Sequence, residues 1–359
     1  MSKTAVVVTS DSGYLPAACC QLASAAAHLP KSDDIHLFLV LCDVTEDEVT
    51  ESKTFFETRG IKVDILRPAE VTDRIKPIGN RWPRAAYLRL YFDQIFGPEY
   101  ARMIYFDADT RVKSDLSPLL EYDLKGKSVG AVHDFIYYLT GNIRRRRRDL
   151  FLGDDGTYLQ SGVMVMDWPK VLETDLLGTA RQFLADYPER CFEAPDQDAL
   201  NAALKSDWTP LDPRWNLHET YLMYGGRSTP FIEHYTSTKP WSRRRPWAWQ
   251  DAADWYRKEL SNTRWSGFVE NSNPLDKVAA RLTFWKNRYG PKVRDQLAAK
   301  LPIVLDLLGR PRERSDDAEL PWAPRNRTDV ETMTSALIDE AAGARGPIRP
   351  PESVLVLPP

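Results

Sequence analysis

Asp107 and Asp109 stand one residue apart in MIYFDADTRV, where the apolar run Met103–Phe106 gives out. A run of this kind reads as a buried strand, and residues two apart in a strand point to the same side. Both carboxylates would then reach one divalent cation beyond the strand's carboxyl end. Their oxygens suit Mg2+ or Mn2+, and such sites keep positions open for phosphate oxygens, so a nucleotide diphosphate is the natural guest. The plain alternative is two solvated aspartates in a turn.

Other residues could complete the chemistry. Asp11 and Tyr14 lie in TSDSGY, just beyond the apolar run Ala5–Thr9. Ligands of open α/β sheets sit beyond the carboxyl ends of the strands. An acidic hydrogen-bond acceptor beside an aromatic plate suits a base such as uracil, although an ordinary turn has the same look. His234, in HYTSTKPW, offers a neutral imidazole as a third metal ligand. Lys239 could neutralise a diphosphate whose charge grows as its bond to a sugar breaks. Tyr87, Arg89, Asp134, the turn Leu159-Gln160-Ser161-Gly162 and Asp196-Gln197-Asp198 of PDQDALN collect polar side chains at strand ends. A polyhydroxyl ligand needs this, since every sugar hydroxyl both donates and accepts. Asp196 and Gln197 are the candidates for sugar contact, whereas Asp198 reads as a helix cap or a structural partner.

The elements that must position these groups follow an α/β rhythm. Short apolar runs at Ala5–Thr9, Ile35–Leu41, Val63–Leu66, Met103–Phe106, Val129–Val132 and Gly162–Met166 alternate with helical stretches, which predicts a largely parallel sheet. Thr45 and Glu48 form a capping box for a helix stopping at Gly60. Pro83 opens another helix, carrying Tyr87, Leu88, Tyr91, Phe92 and Phe96 before Gly97-Pro98 ends it. No internal repeat is found. Three regions emerge: a catalytic domain over 1–260, a basic amphipathic helical extension over 261–308, and a linker, short helix and loose tail over 309–359. Within the extension, Val278, Leu282, Trp285 and Tyr289 share one helical stripe flanked by Lys277, Arg281, Lys286 and Arg288, with Lys292, Arg294 and Lys300 beyond. Such a stripe suits either packing on the catalytic domain or a membrane interface rich in anionic lipid. Thr328 and Glu331 would cap the last short helix.

The 359 residues carry a net charge of −3, which gives no general affinity for nucleic acid. Cys19, Cys20, Cys42 and Cys191 form neither a disulfide framework nor paired metal spacing, so a reducing cytoplasm is the simplest home. MSKTAVVVTS has too short an apolar run for a signal peptide, and no run reaches the roughly 18 residues of a membrane span. The arginine runs 144–148 and 243–245 are the charge anomalies. They suit solvated faces, or an acceptor bearing phosphate or carboxylate.

In order and approximate spacing, TSDSGY, AYLRLYF, MIYFDADTRV, LQSGVMVMD, PDQDALN and HYTSTKPW resemble the signature blocks of family 8 of the retaining glycosyltransferases. That group contains bacterial lipopolysaccharide galactosyl- and glucosyltransferases and glycogenin. The resemblance covers residues 4–256. It implies a GT-A fold, a Rossmann-like arrangement for nucleotide-diphospho-sugars, with a UDP-sugar donor and Mn2+ (or Mg2+) held by Asp107, Asp109 and His234. It also implies that Asp11 and Tyr14 hold the uridine, that Ala108 lies among the donor-binding residues, and that Lys239 meets the diphosphate. Arg89, Asp134, Gln160, Asp196 and Gln197 would meet the donor sugar. Two departures stand out: the loop before Lys239-Pro240-Trp241 is one residue short, with Ser237 and Thr238, and Gln160-Ser161-Gly162 replaces an Asn-Ala-Gly turn common among relatives.

The implied reaction moves a hexose, glucose or galactose, from UDP to a saccharide or glycolipid acceptor in surface-polysaccharide synthesis. Retention by double displacement would use Asp196 as nucleophile. Front-face attack would use Asp196 and Gln197 for positioning, and both routes remain open. A haloacid-dehalogenase-type phosphatase also starts from Asp-x-Asp, but it wants Thr where Arg111 stands. A non-enzymatic basic-patch protein is the other rival.

Overall fold

A computed structural model describes residues 3–79, 81–134, 143–153, 156–218 and 229–283. Its centre is a seven-stranded sheet. The strands are β1 (Lys3–Ser10), β2 (Ile35–Leu41), β3 (Asp64–Leu66), β4 (Tyr100–Phe106), β6 (Val129–His133), β7 (Leu159–Asp167) and β8 (Thr209–Pro210), in the order β3-β2-β1-β4-β7-β6-β8. A three-stranded sheet, β5 (Thr110–Val112), β10 (Ile232–His234) and β9 (Leu217–His218), stands beside it.

The apolar runs are continuous because both faces of the large sheet are covered. Side chains alternate between two cores. Val6, Val8, Ile104, Phe106, Val163 and Val165 enter one, and Ala5, Val7, Met103, Tyr105, Met164 and Met166 enter the other. Strands β3, β2, β1 and β4 run parallel as predicted. β7 departs from the expectation, being antiparallel to both β4 and β6.

The capping box is present: the Thr45 hydroxyl accepts from the Glu48 amide at 3.3 Å, and the Glu48 carboxylate accepts from the Thr45 amide at 2.8 Å. The helix it starts ends at Glu57, and Gly60 then takes a left-handed φ of +63°. The helix after Pro83 differs from expectation. Only Arg84–Tyr87 is α-helical, and Leu88–Gln94 winds as a 3-10 helix. Its burial against the sheet and the bonds that Arg89 makes to Ser161 and Asp107 decide this winding, so tertiary contact overrides the apolar pattern.

The helix Gln250–Leu260 joins the first core through Ala252, Ala253, Tyr256 and Leu260. Trp265, Phe268 and Val269 continue onto that core, beyond the boundary expected at 260. Residues 274–283 are helical, with Leu275, Val278 and Leu282 exposed by 79, 52 and 66%. Trp285, Tyr289, the charges from Lys286 to Lys300, the linker, the short helix and the tail lie outside the described residues.

Candidate active site

Asp107 follows the last residue of β4, and its amide donates to the Gly162 carbonyl of β7 at 2.7 Å. The amide and hydroxyl of Thr110 then return to the Asp107 carbonyl at 3.2 and 2.8 Å. Asp107, Ala108 and Asp109 therefore form a tight turn, which corrects the expectation that strand alternation aligns the two carboxylates. The turn is needed because the chain leaves the large sheet there and enters the small one. β10 pairs antiparallel with β5, setting His234 opposite Thr110, and the Tyr235 amide donates to the Asp109 carbonyl at 3.0 Å.

This pairing brings His234 to the two carboxylates. His234 Nε2 stands 3.6 Å from Asp107 Oδ2 and 3.3 Å from Asp109 Oδ1. One ligand atom from each residue falls in a group no wider than 4.8 Å. Two hard oxygens and one borderline nitrogen fit Mn2+ or Mg2+, with coordination left for phosphate oxygens. Burial works to raise the Asp109 pKa, but the Lys239 ammonium and His234 outweigh it and hold the carboxyl well below its ordinary value.

Lys239 pairs with Asp109, and its Nζ also donates to the Tyr235 carbonyl at 2.6 Å. The same ammonium lies 5.7 Å from the Tyr14 ring, which meets Trp241 edge-on. Tyr14 is placed by Asp11, whose Oδ1 accepts from the Tyr14 amide at 3.2 Å. Asp11, Tyr14 and Lys239 thus sit together at one side of the metal ligands, despite the short loop before Lys239.

On the other side Arg89 is buried and saturated by protein. It donates to Asp107 Oδ1 at 2.6 Å and to the Ser161 hydroxyl at 2.9 Å, and its Nε lies 3.1 Å from Asp196 Oδ2. Burial would lower its pKa, yet Asp107 raises it, so Arg89 is a fixed cation. Burial raises the Asp196 carboxyl above its ordinary value against the pull of Arg89. Gln197, one position on in the helix Pro195–Leu204, accepts from the Ser161 amide at 2.9 Å and donates to Asp134 Oδ2 at 3.1 Å. Asp198 belongs to the frame: Arg146 reaches it at 2.9 Å and the Tyr158 hydroxyl donates to it at 2.6 Å. Gln160 Oε1 accepts from the Gly162 amide at 2.7 Å and from the Asn216 side chain.

The candidate residues chosen from the sequence therefore form one connected cluster, apart from Tyr87, whose hydroxyl accepts from the Ile78 amide at 2.9 Å. Asn216 and Tyr105 were missed as participants. The Tyr105 hydroxyl donates to Asp107 Oδ1 at 2.7 Å, from a strand position that reads as plain core. Asn216 lies between Trp215 and Leu217 with no motif around it, and only the β9–β10 pairing reveals its neighbour His234. The arginine runs also need correction. Arg146 and Arg147 are buried, bonded to Asp198 and to the Gly156 carbonyl, and Arg245 is buried against the carbonyls of Ser242 and Glu270. Only Arg145 and Arg148 of the first run are shown exposed.

Known proteins share sequence and fold with this chain. Over 201 residues the chain is 30% identical to general stress protein A of Bacillus subtilis, covering 51% of this chain and 67% of that protein. It is 27% identical to the lipopolysaccharide 1,2-glucosyltransferase of Escherichia coli, covering 70% of this chain and 75% of that one. Among solved structures, a galactosyltransferase, LgtC, in complex with donor and acceptor sugar analogs superposes with a TM-score of 0.64 at 18% identity, over 74% of this chain and 100% of that one. The bifunctional glycosyltransferase WbbM superposes at 0.61 and 20% identity, over 75% of this chain and 51% of that one. These similarities at low identity show a shared GT-A fold. The sequence profile of Glycosyl transferase family 8 matches residues 5–245, a span that holds every residue of the cluster, and the chain belongs to that family of glycosyltransferases.

Proposed function

We propose that this protein is a retaining hexosyltransferase that moves glucose or galactose from a UDP-sugar to a saccharide acceptor of lipopolysaccharide or another surface polysaccharide. The carrying observation is the meeting of Asp107, Asp109 and His234 beside Lys239 and Tyr14. Relatives named for lipopolysaccharide glucosyl and galactosyl transfer support the acceptor class.

Bound at the three ligands, Mn2+, or Mg2+ in its place, supplies positive charge to the diphosphate as it leaves. Tyr14 offers a ring face and Asp11 an acceptor to the uracil. Lys239 is already a partly buried cation next to the ligands and can turn its ammonium from Asp109 to a phosphate oxygen. Arg89 fixes Asp107 and Asp196 relative to one another, so the carboxylate meant for the sugar keeps its distance from the metal ligands. Asp196, Gln197 and Asp134 then hold the hexose and stabilise the positive charge that develops at its anomeric carbon. Gln160 contributes its amide at the same wall.

The exposed Arg145 and Arg148 suit an acceptor bearing phosphate. The stripe Leu275, Val278 and Leu282, with Lys277 and Arg281 beside it, suits an anionic leaflet, which would place the enzyme on the cytoplasmic face of the membrane. No described helix is long and apolar enough to cross one. The deciding experiment measures UDP release from a panel of UDP-sugars with Mn2+, followed by NMR of the product. A retained α-linkage is expected. Full turnover in EDTA, or phosphate release from phosphomonoesters instead, would overturn the proposal.

A further inference from the structure

The metal ligand His234 is held by a chain of side-chain amides whose direction can be worked out atom by atom. The Gly162 amide can only donate, so the Gln160 atom it meets at 2.7 Å is the carbonyl Oε1. That oxygen cannot donate, so the Asn216 group bonded to it is the Nδ2 amine. Asn216 must then turn Oδ1 toward His234, where it lies 2.8 Å from Nδ1. An oxygen with no hydrogen can only accept there. Nδ1 therefore carries a proton, and a neutral ring keeps its lone pair on Nε2, facing Asp107 and Asp109.

We propose that Asn216 and Gln160 are positioning residues that fix the tautomer of His234 and so prepare Nε2 as a metal ligand. The chain begins at a backbone amide of β7 and ends at the ring, with Asn216 fully buried between them. Neither amide can rotate without placing two donors or two acceptors face to face in a dry interior, which leaves a buried polar group unpaired. The tautomer thus inherits its certainty from the main chain. Gln160 also gains a reason for its length. It spans from the Gly162 amide to Asn216, and its carbonyl is spent on the frame, so only its Nε2 group remains to donate elsewhere. A donor alone would favour acceptor oxygens on the sugar. This inference rests on the metal reading above only for its effect, not for the tautomer.

The test has two readouts on the full chain. With 15N-histidine labelling, and the His234 signals assigned by their loss in His234→Gln, the metal-free protein at a pH alkaline enough to leave the ring uncharged should show a pyrrole-type Nδ1 and a pyridine-type Nε2. Calorimetric titration with Mn2+ alone should show binding weakened about 10–100-fold in Asn216→Leu, the usual cost of losing an outer partner of a ligating histidine. Gln160→Met should weaken it in the same direction, and Asn216→Asp, which still accepts from Nδ1, should recover part of the loss. An uncharged ring with its proton on Nε2 and none on Nδ1 overturns the proposal, as does unchanged Mn2+ affinity in a folded Asn216→Leu protein. Should Asn216→Leu fail to fold, the wild-type spectrum and Asn216→Asp decide instead. If the wild-type protein binds no Mn2+, the metal reading falls, while the spectrum still decides the tautomer.

Discussion

A Cβ placed on Gly162 would stand 2.3 Å from Cε1 of His234. It would also lie 2.6 Å from Asp107 Oδ2, so the absence of a side chain at 162 is what lets ring and carboxylate approach. Gly162→Ala should therefore push His234 off its ligand position. We expect metal-dependent turnover to fall about 100-fold, as for other angstrom-scale misplacements. Circular dichroism should show an intact fold, and undiminished UDP release would refute the crowding argument.

Asp107→Ala and Asp109→Ala should each remove most turnover. The fold should survive Asp109→Ala, since that carboxylate bonds Lys239 at the crevice. Asp107→Ala should also loosen Arg89, which would show as higher exchange of amides in Leu88–Gln94.

Asp196 and Asp198 should separate cleanly. Asp196→Asn is expected to lower kcat far more than it raises KM for the UDP-sugar, because its carboxylate, held by Arg89, is the one proposed to act in the transition state. Asp198→Asn removes the nearer carboxylate from the buried Arg146 guanidinium and leaves it Glu193 at 3.6 Å, and the expected cost is about 1–3 kcal/mol of stability. Urea unfolding of both variants checks this, and interchangeable kinetics would contradict it.

His133 supplies a pH dependence. It is buried against Trp208, with ring centroids 4.7 Å apart, and burial lowers its pKa to about 4 from an ordinary 6.5. The folded state thus keeps it neutral where the unfolded chain takes up a proton. Its contribution is complete above pH 6.5 and is lost as pH falls from 6.5 toward 4, on the order of 3 kcal/mol in all. Denaturation of wild type and His133→Gln at pH 7.5 and 4.5 should show a smaller loss in the variant.

The exposed stripe predicts co-sedimentation with anionic but not zwitterionic liposomes, weakening at high salt. Leu282→Asp should reduce binding without changing UDP release, and binding equal to wild type would dismiss the membrane reading.

Much of this was legible because apolar runs and polar strand ends obey local rules. β1, β2 and β4 could be placed from Ala5–Thr9, Ile35–Leu41 and Met103–Phe106, and the residue types and neighbours of Asp107, Asp109 and His234 marked the three groups that the fold brings together. The direction of β7 could not, since a strand buried on both faces reads the same in either direction. The turn at Asp107–Thr110 was hidden because it depends on the switch between sheets. Arg146 looked like surface charge, as arginine runs usually are, and its burial follows from Asp198, far along the chain. Asn216 carried no local signal because its contact with His234 of β10 arises only where the chain enters β9, which pairs with that strand.

The order of strands along the chain bears on synthesis. All strands of the large sheet precede residue 211, whereas β9 and β10 follow, and β10 brings the third ligand. A nascent chain emerging from the ribosome can therefore complete its main sheet while Asp107 and Asp109 still lack His234. Closing the site requires the late β10 to find the early β5, a contact across more than a hundred residues that is slow to form. Metal capture would then mark the finished polypeptide, and an interrupted translation product would remain inert toward the donor.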